Sequence, residues 1–152
     1  YLSSAASDVY KRQQNVSGDL RITLNGAENL NTLAGQFIDR TFGAAVQHLA
    51  FSCTDIFATA EALAVRGFEA LEISPNYYED LGARFGLQDA FLARLQLSKV
   101  LYDEDADGRY FQLYSRRRTS EVFFEIVQRD RDYDGYGAAN APFRVSAQKR
   151  VL

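Results

Sequence analysis

The chain has 152 residues, with 17 Lys and Arg against 20 Asp and Glu and a formal charge of −3. A content of 47% hydrophobic and 24% charged residues is globular composition and excludes a disordered chain. The acidic balance speaks against nucleic-acid binding by phosphate neutralisation, and no apolar run reaches the roughly 18 residues of a membrane span. A single Cys excludes an internal disulfide and fits a reducing, cytoplasmic setting. The chain contains no Met, so the expectation is a fragment of a longer protein.

Residues 1–13 (YLSSAASDVYKRQ) are small and polar, without helical or strand period, and are set apart as a non-native leader. Residues 18–25 alternate Leu20, Ile22 and Leu24 with polar neighbours, which predicts a strand exposed on one face. Residues 14–45 then read as the end of a preceding module and a linker, with a short helical turn around Leu33 and Phe37. A strand is expected over 46–53, followed by a helix over 55–66 with Thr54 as its N-cap and Gly67 beyond its end. A strand over 68–73 follows, and then a helical pair over 77–85 and 88–97. Strands over 100–103 and 109–115 flank an Asp/Gly-rich turn, and the last strand is expected over 121–129. Residues 135–140 read as a loop and 142–152 as a C-terminal tail. The order from residue 46 is β-α-β-(helical insert)-β-β-β, an α+β module over 46–141 whose open sheet edges call for a missing half.

Few residues carry chemistry. His48 is the only histidine, and its strand face holds Val46 and Ala50. Glu125 lies in the apolar run VFFEIV, where a carboxylate is costly to bury unless paired or bound to metal. Imidazole and carboxylate are metal-ligand types, but two ligands fall short of the three that an iron(II) facial triad requires. The DEDADG turn (103–108) begins like a calcium loop, yet Tyr114 stands where the bidentate Glu is required, so it reads as a hairpin turn. Arg116, Arg117 and Arg118 read as a solvated basic loop.

Five strings in order, VQHLAFSCTDIF (46–57), SPNYYEDL (74–81), LYDEDADGRYFQLYS (101–115), VFFEIVQR (122–129) and GYGAAN (135–140), resemble the C-terminal half of 4-hydroxyphenylpyruvate dioxygenases, of the vicinal-oxygen-chelate superfamily. The ending GYGAANAPFRVSAQ is similar to the dioxygenase-like C-terminal domain of bacterial fusion proteins whose N-terminal barrel is a 3-dehydroshikimate dehydratase. The resemblance implies a βαβββ module with a helical insertion, part of a two-module open barrel. It implies Fe(II) held by His48 and Glu125, with a further His upstream of Asn15. Asn25, Gln112, Tyr114, Phe123, Tyr136 and Asn140 match substrate-pocket positions. Alternation agrees, with Gln112 and Tyr114 on one strand face and Phe123 and Glu125 on another. The implied reaction is oxidative decarboxylation and hydroxylation of an aromatic 2-oxo acid by O2, giving a homogentisate-type product, in a protein that is a homo-oligomer when whole. The alternative is the tail of a dehydratase fusion whose dioxygenase-like part is non-catalytic or acts on another substrate. Two departures touch the substrate pocket: Thr32-Leu33-Ala34 replaces a Ser-Gln-Ile string, and Ala141 replaces a Phe.

Overall fold

The structure, a computed structural model, describes residues 9–27, 29–117, 122–133 and 135–150. It divides into two compact units, Tyr1–Val46 and Gln47–Leu152.

In the first unit, β1 (Val9–Gln14) pairs antiparallel with β2 (Arg21–Asn25). The connection is closed by the Asn15 side chain, which accepts the Leu20 N–H at 3.0 Å. Part of the leader thus forms a strand, while residues 1–8 lie outside the described residues. Periodicity does not register β1 because backbone pairing alone makes a two-stranded ribbon, whatever its side chains. Leu20, Ile22 and Leu24 are all at least half exposed, so the alternation in β2 does not mark a buried face. Helix α1 (Leu33–Arg40) starts at Thr32, whose hydroxyl accepts the Gly35 N–H.

The second unit is built on a four-stranded sheet in the order β3-β6-β5-β4. Strand β3 (His48–Ser52) runs parallel to β6 (Phe123–Arg131), and β5 (Gly108–Tyr114) is antiparallel to both β6 and β4 (Leu101–Glu104). Between β3 and β4 come α2 (Ile56–Val65), α3 (Pro75–Phe85) and α4 (Asp89–Leu97). A single 3-10 turn (Ala138–Asn140) leads into α5 (Ala141–Lys149). Helices α2, α3 and α4 cover the sheet face that carries Phe111 and Leu113, while Arg144 of α5 lies over Tyr114 and Phe123 on the other face. Phe57, Phe91 and Tyr102 meet Phe111 edge to face, above fully buried Ile56, Leu81, Leu95 and Val100. Central strand β5 is buried on both faces, so its alternate residues Gln112 and Tyr114 lie in the opposite layer.

Four local expectations change. Asp55, not Thr54, caps α2, because its carboxylate accepts the N–H groups of Phe57 and Ala58, both at 3.0 Å. The expected strand over 68–73 is a single bridge, Ala70 to Ser115. Strand β4 already occupies the β5 edge from Arg109 to Gln112. Only the Leu71 N–H to Tyr114 and Arg116 N–H to Glu69 bonds remain for that segment. The expected tail is helix α5, opened by Pro142 in its first turn. Arg117 is buried rather than solvated, with its guanidinium carbon 5.7 Å from the centre of the Phe123 ring. Arg118 and the first expected residue of the last strand, Glu121, lie outside the described residues. The DEDADG segment is a hairpin turn, closed by Asp105 accepting the N–H groups of Asp107 and Gly108.

Candidate metal centre

Register alone brings the expected pair together. In the parallel ladder His48 lies opposite Phe123 and Ala50 opposite Glu125; in the antiparallel ladder Tyr114 lies opposite Glu125. With a side-chain period of two, His48, Phe123, Glu125, Tyr114 and Gln112 share one face of the sheet. His48 Nε2 lies 2.7 Å from Glu125 Oε2. The imidazole stacks on Phe123, with ring centres 4.7 Å apart and planes 16° from parallel. His48 is the first residue of β3 rather than a mid-strand one, and its side chain is 36% exposed.

Glu125 is 4% exposed and anchors a chain of hydrogen bonds with one polarity. A carboxylate only accepts, so Gln112 must present its Nε2, which donates to Glu125 Oε1 at 2.8 Å and to the Tyr114 hydroxyl at 2.7 Å. That leaves Gln112 Oε1 to accept from Asn140 Nδ2 at 2.8 Å. Asn140 Oδ1 in turn accepts from the Tyr77 hydroxyl at 2.9 Å, and that hydroxyl accepts the Tyr102 N–H at 2.7 Å. A helix (α3), a turn (138–140) and two strands are thereby tied to one carboxylate. Gly137 makes room for this chain. Its φ is +61°, and a Cβ there would stand 2.3 Å from Gln112 Oε1.

The electrostatics follow from these contacts. Burial by itself pushes the Glu125 carboxyl up. The hydrogen bond and charge of His48, with the donors Gln112 and Tyr114, outweigh burial and hold the group below its usual range. Tyr114 is pushed far up by burial and then by the Glu125 charge, so it stays a neutral hydroxyl. The site therefore presents a fixed anion beside an imidazole.

The donor set fits a cation. Metal–nitrogen and metal–oxygen bonds of about 2.0–2.2 Å at right angles leave donor atoms about 3 Å apart, close to the observed 2.7 Å. Among the described residues no group of three His, Cys, Asp or Glu side chains that could hold a metal ion forms.

Of the expected site residues, six come together: His48, Glu125, Gln112, Tyr114, Phe123 and Asn140. Tyr136 is 48% exposed in the loop before Gly137. Asn25 is the last residue of β2, in the other compact unit. Two residues beside the site escaped sequence reasoning, Arg144 and Gln148 of α5. The signal was available: Pro142 opens a helix, and Phe143 and Ala147 at a spacing of four mark its packed face.

This fold and this face define the class, a vicinal-oxygen-chelate module. The chain is a homologue of the 4-hydroxyphenylpyruvate dioxygenases, being 36% identical to that of Caenorhabditis briggsae over 69% of this chain and 28% of the relative. More particularly, it is 43% identical to 3-dehydroshikimate dehydratase of Pseudomonas putida over 135 residues, 88% of this chain and 21% of that protein. A solved xylose isomerase-like TIM barrel/4-hydroxyphenylpyruvate dioxygenase fusion protein superposes on 91% of this chain with a TM-score of 0.76 and 40% identity, using 22% of its own length. The chain thus spans only 21% to 28% of the length of these relatives. No protein-family model matches it. Among the described residues no helix is long and apolar enough to cross a membrane.

Proposed function

We propose that this module forms part of a non-haem iron(II) dioxygenase centre acting on an aromatic 2-oxo acid. The observation that supports it most is the 2.7 Å approach of His48 Nε2 to a buried, ionised Glu125. His48 and Glu125 would hold the ion, with a further His from chain outside the described residues. Bound iron would supply chelation of the 2-oxo acid and activation of O2 for oxidative decarboxylation and ring hydroxylation. The protein's own residues do the positioning. Gln112 keeps both Glu125 oxygens oriented, one by its direct bond and the other by leaving it to His48. Tyr114, held neutral, supplies a hydroxyl rather than a second anion next to the cation. Phe123 fixes the imidazole plane by stacking and gives the substrate ring an apolar wall.

Iron analysis of the full-length protein tests this reading. About one iron per chain is expected, falling to a small fraction in both His48→Ala and Glu125→Ala. Unchanged iron content in both variants overturns the site.

The higher identity to the dehydratase than to the dioxygenase favours a second reading. In it the module is the C-terminal domain of a 3-dehydroshikimate dehydratase fusion. The lyase chemistry then belongs to a barrel outside these 152 residues, and the iron centre serves a different substrate or none. Separate assays of 4-hydroxyphenylpyruvate and 3-dehydroshikimate with the full-length protein distinguish the two.

A further inference from the structure

Helix α5 brings beside the candidate centre a cation that the proposed iron chemistry does not use. The guanidinium carbon of Arg144 lies 5.5 Å from the centre of the Tyr114 ring and 5.6 Å from that of Phe123. Phe123 in turn stacks on His48 at 4.7 Å, so at most about 10 Å separates guanidinium from imidazole. One substituted aromatic ring spans such a distance. Among the described residues Arg144 forms no ion pair; its Nη1 donates to Gln148 Oε1 at 2.8 Å.

Gln148 supplies the second observation. It is 1% exposed, and its Nε2 has no hydrogen-bond partner. Turning the amide over would not help, because the guanidinium demands the oxygen. Among the described residues no acceptor meets this donor, and the amide oxygen is committed to the guanidinium. The Arg144 guanidinium and the Gln148 amide are bonded to each other, so their remaining N–H groups lie close together. The guanidinium keeps further N–H groups that a carboxylate takes through both its oxygens, and the Gln148 oxygen holds that guanidinium in place.

We propose that Arg144, oriented by Gln148, determines specificity as a carboxylate clamp of this pocket, and that the substrate is an aromatic 2-oxo acid with a second carboxylate on its ring. The inference rests on the 2-oxo acid reading above. There the first carboxylate is matched by the cation, which leaves Arg144 for the other. Titration calorimetry on the full-length, iron(II)-loaded protein without oxygen tests it, with phenylpyruvate and 4-carboxyphenylpyruvate as probes. The diacid binds at least about tenfold more tightly, as a desolvated charge-assisted pair provides. Arg144→Gln removes that advantage and leaves phenylpyruvate within about twofold, while Arg144→Lys keeps part of it. Equal affinity for the two probes in the parent protein overturns the inference and leaves the 2-oxo acid reading standing. So does an advantage undiminished in Arg144→Gln. Binding of neither probe overturns that reading, and this inference with it. Equal affinity in the parent protein overturns the inference without any variant, and where Arg144→Gln does not fold, Arg144→Lys carries the assignment: a full, unreduced advantage there overturns it.

Discussion

The two halves of the candidate centre are supported very differently. Glu125 sits in β6 with neighbours on both sides, 4% exposed, and tied through Gln112 and Asn140 to Tyr77 of α3. His48 opens β3, an edge strand whose five residues are all exposed, and its fixed contacts are Glu125 and the Phe123 ring. One candidate ligand is built into the core while the other leans on it from the rim. A cation site assembled this way has one arm preorganised by packing and one that binding completes.

That contrast predicts unequal costs for the same loss of metal. Glu125→Ala strands the donors of Gln112 and Tyr114 in a buried layer and should cost about 2–4 kcal/mol of stability. His48→Ala, at an exposed position, takes one of several partners from that carboxylate and should cost less, about 1–2 kcal/mol. Urea unfolding of both variants measures the difference, and equal losses would break the comparison. Gly137→Ala comes next. It forces a side chain into the left-handed region and toward the Gln112 amide, for about 2 kcal/mol or more. The same unfolding assay, with iron content alongside, reads it.

Tyr77→Phe sharpens the picture from the far end of the chain of hydrogen bonds. It removes the acceptor of the Tyr102 N–H and the donor to Asn140, for about 1–2 kcal/mol. Iron should still bind, because Gln112 keeps its bond to Glu125. Loss of iron in Tyr77→Phe would mean that Glu125 is oriented from farther away than its direct partners. The smallest effect belongs to Tyr133, whose hydroxyl donates to Asp103 at 2.7 Å and accepts the Gly137 N–H. Burial, then the bond to Asp103, pushes it up to about 12 from 10.0. The unfolded chain therefore loses this proton first. Its stabilisation is complete below pH 10 and is lost as pH rises through about 12. Unfolding midpoints across that window should fall less steeply in Tyr133→Phe than in the parent protein.

Much of the site was legible in the sequence because strands transmit it directly. Alternation places Phe123 with Glu125 and Gln112 with Tyr114, and the ladder then makes all four neighbours. Which strands pair was not legible from period: the family resemblance joined His48 to Glu125 as ligands of one ion, and the parallel pairing of β3 with β6 across some 70 residues is seen only in the structure. The helix α5 is hard to read from the sequence because its apolar positions are few and its Gln148 is a polar residue turned inward. Hydropathy reads such residues as solvent-facing. The segment 68–73 was misjudged for the opposite reason: its composition suits a strand, but β4 holds the edge it would have joined.

The account rests on His48 and Glu125 sharing one cation. Anomalous diffraction at the iron edge, from anaerobic crystals of the full-length protein, tests this directly. The expected result is a single peak within about 2.0–2.3 Å of both His48 Nε2 and a Glu125 carboxylate oxygen. Iron bound elsewhere, with those two side chains still in direct contact, would contradict it.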